Sequence, residues 1–203
     1  MNFANALFGL SGCVLISLAL FSAALRLQRM PVRVRYAVIL VAAVTVLVPV
    51  GDLSIATYVR GITGDLSITT LVLAGAACVV RLTGRVVIGE RDRRSLCRLL
   101  VFAAVFLYPF ALGWTPFDPY ALGYGSLEFL TVLLLITLAA WWARLYVVVF
   151  IVVVAAFAYL GGAYESRNLW DYLIDPLAVL YAIGRLAAGT FRRRSGEVAQ
   201  IGT

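Results

Sequence analysis

The chain has 203 residues, 63% of them hydrophobic, with a mean hydropathy of +0.98; soluble domains hold about 45 to 50% apolar residues, so an ordinary soluble fold is excluded. At about 20 residues per helical span plus loops, this length holds on the order of six or seven spans and leaves nothing for a soluble catalytic domain. The formal charge of +7 lies in arginines beside apolar runs, where membrane topology requires it, and this argues against a nucleic-acid partner.

All 17 basic residues are arginine, with alanine, valine and glycine abundant. Their codons are GC-rich, which points to a high-GC bacterial genome and hence to a bacterial inner (plasma) membrane. Histidine is absent, removing His-ligated haem or metal and Ser-His or Cys-His catalysis. Cys13, Cys78 and Cys97 are far apart and form no CxxC, so neither a disulfide framework nor a zinc site is expected.

Residues 4–25 are an uncharged run of 22, long enough to span. No basic segment precedes them, and arginines follow, which is the orientation of a retained span with its N-terminus outside. Leu10-Ser11-Gly12-Cys13 resembles a lipobox, but the apolar run continues beyond it, so Cys13 reads as a small buried residue. Arg26, Arg29, Arg33 and Arg35 form an inner loop, and a second span is predicted over 36–50, stopped by Pro49 and Gly51.

The pentapeptide Gly-Asp-Leu-Ser-Ile then occurs twice, at 51–55 and 64–68. In the simpler reading each glycine ends a helix and Asp52 and Asp65 cap the next. In the functional one these acids, with Ser54 and Ser67, converge on an outer cation or polar-substrate site. The spacing matches no phosphate- or metal-binding loop, and capping is the favoured reading.

A third span is predicted over 66–80. Residues 81–98 follow, with six arginines (Arg81, Arg85, Arg91, Arg93, Arg94, Arg98) against Glu90 and Asp92. A short arginine-rich loop between spans stays cytoplasmic, which fixes the topology of the rest by alternation. The fourth span is predicted over 99–114, with Pro116 and Pro119 beginning an outer loop, and the fifth over 127–142, with Glu128 in its first turn. One helix over 127–160 would extend about 51 Å against a hydrocarbon core of roughly 30 Å. A tight hairpin at Trp142-Ala143-Arg144-Leu145 is therefore expected.

After Gly161-Gly162, a short interfacial helix is predicted with Asn168 as its N-cap, and Pro176 begins the seventh span. Arg185 makes that span the weakest, and a helix lying on the membrane surface is its alternative. The expectation is therefore an all-α polytopic transmembrane bundle of about seven spans, N-terminus out and C-terminus in. It forms a single helical domain over 1–191, with a flexible cytoplasmic tail at 192–203. Fifteen arginines and three acids fall on its inner side, two arginines and seven acids on its outer side.

The spans carry no ionisable residue between their ends except Arg185, which lowers the prior for an ion-coupled transporter. Candidate site residues on the outer face are Asp52, Asp65, Asp118, Glu128, Asp171, Asp175, Trp114 and Trp170. Carboxylates beside aromatic rings suit a glycan or lipid-linked saccharide, against the plainer reading of an aromatic belt with solvated acids. Asp171 and Asp175 are spaced as neighbours one helical turn apart. On the inner face Arg85, Arg91, Arg93 and Arg94 are candidates for lipid or partner contact.

No motif calls for a catalytic residue, a metal or a cofactor, and the expected partners are membrane lipids and other integral membrane proteins. The functional expectation is a non-catalytic subunit or accessory factor of a cell-envelope assembly or export system. A small-solute or lipid transporter and a transferase acting on lipid-linked substrates are the alternatives.

Overall fold

The computed structural model describes residues 3–113 and 117–201, the side chains of residues 3, 4, 6 and 192–201 excepted. Its helices are α1 (Phe3–Ala24), α2 (Val32–Leu47), α3 (Ile55–Thr63), α4 (Ile68–Thr83), α5 (Glu90–Ala111), α6 (Leu127–Trp142), α7 (Tyr146–Leu160), α8 (Leu169–Leu173) and α9 (Pro176–Ile201). The fold is all-α apart from a hairpin in which β1 (Pro49–Val50) pairs with β2 (Leu53–Ser54). The turn between these strands needs a positive φ at its first position, which Gly51 supplies at 75°.

Two helices are long and apolar enough to cross a membrane, α1 over Leu7–Ala24 and α5 over Glu90–Ala111. Four shorter apolar helices cover Ile68–Thr83, Leu127–Trp142, Tyr146–Leu160 and Pro176–Phe191.

α5 packs along α9, α1 along α4 and α6 along α7, and polar contacts gather at two ends of these packed helices. At one end Arg35 donates to the carbonyls of Arg81 and Leu82 (3.4 and 3.3 Å), Arg91 to the carbonyl of Ala143 (3.1 Å), and Arg185 pairs with Glu90 (3.2 Å). The opposite end holds Asp65, Asp171 and Asp175 with Tyr120 and Tyr164, and the short α3 and α8 lie there.

The main core is built by α5, α6, α7, α8 and α9, with Ile68 of α4, around Leu100, Leu107, Leu133, Ile151, Ala155, Leu169, Tyr172 and Ala182. A second cluster of Ala19, Ala74 and Cys78 joins α1 to α4. Small side chains let these two helices approach closely, and a Cβ on Gly12 would stand 3.0 Å from the Leu71 side chain. Cys13 is fully buried in α1.

Helix ends depart from the sequence reading where polar residues continue a helix. α2 begins at Val32 and takes Arg33 and Arg35 into its first turn; α4 runs to Thr83 and α5 begins at Glu90, so most of the arginine-rich stretch is helical. Arginine, glutamate and leucine are good helix formers, and a search for apolar runs starts such helices too late. By the same preference α9 continues through Arg192–Arg194 to Ile201.

The hairpin between α6 and α7 is present, and Arg144 makes it possible by adopting a left-handed conformation (φ 57°) with its N–H bonded to the Trp141 carbonyl at 2.8 Å. Left-handed backbone costs a residue with a Cβ about 1–2 kcal/mol, and a β-branched one more. Arg144→Val is therefore expected to lower stability by at least about 1 kcal/mol while Arg144→Gly lowers it not at all, as read by thermal unfolding of the purified protein.

Candidate functional site

The acid end is organised around α8. Asn168 is fully buried and caps that helix by accepting from the Trp170 N–H (3.0 Å), while its amide donates to the Tyr120 carbonyl (2.8 Å). Trp170 donates its indole N–H to the Pro119 carbonyl (3.0 Å) and packs its ring on Phe129 at 4.4 Å. Gly123 leaves room for this lock, since a Cβ there would lie 1.8 Å from the Asn168 side-chain oxygen. The segment 117–125 is thereby fastened to α8.

Behind α8, Tyr164 donates its hydroxyl to the Leu66 carbonyl, and Tyr172 accepts from the Tyr164 N–H and donates to the Ser166 carbonyl, both at 3.1 Å. Burial, followed by the Asp65 charge, pushes the Tyr164 phenol well above its ordinary pKa; burial, followed by Asp171, does the same to Tyr120. Burial also raises the Tyr172 phenol. These hydroxyls stay protonated at neutral pH and act as donors.

Each buried or half-buried carboxylate has its own donors. Asp175, only 9% exposed, accepts from the backbone N–H of Ser67 (2.8 Å), the hydroxyl of Thr70 (2.8 Å) and the backbone N–H of Ala178 (2.7 Å). Asp171 accepts from the Tyr120 hydroxyl at 3.0 Å and from the Ser166 hydroxyl. Asp65 pairs with Arg60 at 2.9 Å, and this pair presses on α1 at Gly9, where a Cβ would fall 2.4 Å from Asp65 Oδ1.

These three acids line one cleft of about 400 Å³ with Tyr108, Tyr120, Tyr164 and Trp170. Among the described residues, the Tyr108 hydroxyl is a buried polar side-chain group with no hydrogen-bond partner.

The remaining candidates lie apart from the cleft. Asp52 is exposed in the turn of the β-hairpin, and Asp118 is exposed and accepts from the Tyr120 N–H (2.9 Å). Glu128 is exposed at the start of α6, on the lining of an apolar groove among α5, α6 and α7. Trp114 lies outside the described residues.

Asp171 and Asp175 do not share a helical face. α8 ends at Leu173 and Ile174 is extended (φ −142°, ψ 140°), so Asp175 belongs to the start of α9. Nor do Asp52 and Asp65 cap helices; the duplicated motif caps through its serines, with Ser54 accepting from the Thr57 N–H (3.3 Å) and Ser67 from the Thr70 N–H (3.2 Å). In each copy the N–H that the serine accepts belongs to the residue three positions on, Thr57 or Thr70, as in an ordinary serine N-cap.

At the opposite end Arg85 is exposed, Arg91 bonds the Ala143 carbonyl, Arg93 bonds the Ile88 carbonyl (3.0 Å), and Arg94 pairs with Glu90 (2.9 Å). No protein-family model, curated protein or solved structure matches this chain.

Converting Asp175 to an amide would turn an acceptor into a donor facing other donors. Asp175→Asn should cost about 1–3 kcal/mol. By contrast, Asp118→Asn, on an exposed loop, should stay within about 0.5 kcal/mol in the same thermal-unfolding measurement.

Proposed function

We propose that this chain is a seven-span protein of a bacterial inner membrane, N-terminus outside and C-terminus inside, serving as a non-catalytic subunit or accessory factor of a cell-envelope assembly or export system. The membrane reading is supported by the exposed apolar side chains of α5, α6 and α7, such as Phe102, Leu134, Leu135 and Phe157, which no soluble surface carries in such number. It is also supported by the gathering of arginine loops at one end and carboxylates at the other, as the positive-inside rule demands of a cytoplasmic and an outer face.

The observation that carries the non-catalytic role is the state of the acids. Asp171 and Asp175 spend their oxygens on donors from their own chain, and Asp65 is held by Arg60. A general acid or base needs a carboxylate free to exchange a proton with substrate, so a transferase at this face is the less favoured reading. Partner membrane proteins suit α2, which buries Val46 alone of its sixteen residues. The small-solute or lipid transporter remains the second reading, favoured by the cleft and the unpartnered Tyr108 hydroxyl within its lining.

Reporter fusions after Arg94 and after Tyr172 should report opposite compartments, the first cytoplasmic; both on one side would overturn the topology. Mild-detergent purification of the full chain from its native membrane should retain a stoichiometric integral-membrane partner. A chain that is monodisperse alone and moves a solute across liposomes would replace the subunit reading with the transporter. Asp171→Asn should leave function intact wherever the protein reaches normal membrane levels, and its loss there would favour the enzyme.

A further inference from the structure

The arginine end carries more positive charge than its acids neutralise, and four of its arginines line one groove. Between α5 and α9 lies an opening of about 510 Å³ lined by Glu90, Arg93, Arg94, Arg98 and Arg185, with Gly189 among the residues of its α9 side. Glu90 is the lone carboxylate among the described residues that line it and is already shared: Arg94 holds one oxygen at 2.9 Å, while Arg185 and Arg93 approach the other at 3.2 and 3.9 Å. Arg98 has no hydrogen bond or ion pair among the described residues.

Arg94 and Arg98 stand four residues apart on one helix, so their like charges repel unless an anion joins them. Arg98, a further turn along α5 from Arg94, has no counter-charge among the described residues, and a guanidinium left so is costly near a bilayer. Around Gly189 the wall is open, since nothing lies within 4 Å of where its Cβ would be.

We infer that this groove binds a phosphate group, supplied by the headgroup of an anionic phospholipid. Planar guanidinia present paired N–H donors that match phosphate oxygens, and two helices supply them from opposite sides. A basic pocket between apolar helices at the cytoplasmic surface is the setting in which headgroups of this class are held. The inference rests on the membrane reading, yet the two fail separately: a chain that inserts into nanodiscs but discriminates among no lipids removes this site and leaves the span assignment standing.

The test uses the purified full-length protein, with bound lipid counted by native mass spectrometry after titration with phosphatidylglycerol, phosphatidylcholine or inorganic phosphate. Phosphatidylglycerol should be retained over phosphatidylcholine, and the double change Arg98→Gln with Arg185→Gln should weaken that retention about tenfold or more. Arg29→Gln with Arg33→Gln, at the same end but outside the groove, should leave it unchanged. Glu90→Gln should strengthen it by freeing the guanidinia, a gain that a loss of folding cannot imitate. Equal losses in the groove and control variants, or no loss in the groove variant, would overturn the site. Displacement of the lipid by millimolar inorganic phosphate would uphold phosphate recognition and overturn the lipid as its source.

Discussion

The carboxylate of Asp175 is the constraint on which the arrangement of helices depends. It accepts from Ser67 and Thr70 at the start of α4 and from Ala178 at the start of α9, so two helix N-termini converge on one buried charge. Orphan N–H groups and the positive end of each macrodipole favour an anion there, and a buried carboxylate is tolerable only when its oxygens are occupied. The clamp sets where α4 and α9 begin. Arg35 then bonds the last carbonyls of α4, and Arg185, within α9, reaches Glu90 at the head of α5. With these points fixed, α9 lies along α5 and α4 along α1, and the core of Leu100, Leu107, Ile151 and Ala182 closes among the helices.

Much of this was legible in the sequence, and the parts that were not share a cause. Apolar run length marks the middle of each long helix because burial in either lipid or protein selects the same side chains. It marks the turn at Arg144 as well, since a 34-residue run cannot be one span. Helix ends are decided instead by which side chain reaches an orphan N–H. Sequence shows only that Asp52, Ser54, Asp65 and Ser67 are all capable of it, and the serines are the ones that do.

The candidate site was legible as a set of residue types and illegible as a set of bonds. That acids and aromatics share one face follows from charge alternation along the chain. That Asp171 answers to Tyr120, fifty-one residues away, depends on α8 packing against the 117–125 segment. The spacing of Asp171 and Asp175 misleads because a helical face was assumed where Ile174 is extended. Thr70 and Ser166 carry no signal before their partners are known.

The two ends differ in how their helices are capped, and the difference follows from what each side chain can do. At the acid end α3, α4, α6, α8 and α9 begin with Ser54, Ser67, Ser126, Asn168 and Asp175, each accepting a backbone N–H. At the arginine end α2, α5 and α7 begin at Pro31, Gly89 and Leu145, whose side chains cap nothing. Arginine has five donors and no acceptor, so a face rich in guanidinia can bond helix C-terminal carbonyls but cannot satisfy N-termini. Arg35, Arg91 and Arg93 do bond carbonyls, and Asp92 in α5 must reach across to the Val147 N–H at 3.5 Å to serve the start of α7. A face that gathers guanidinia therefore leaves itself short of acceptors, and its helix N-termini go without side-chain caps.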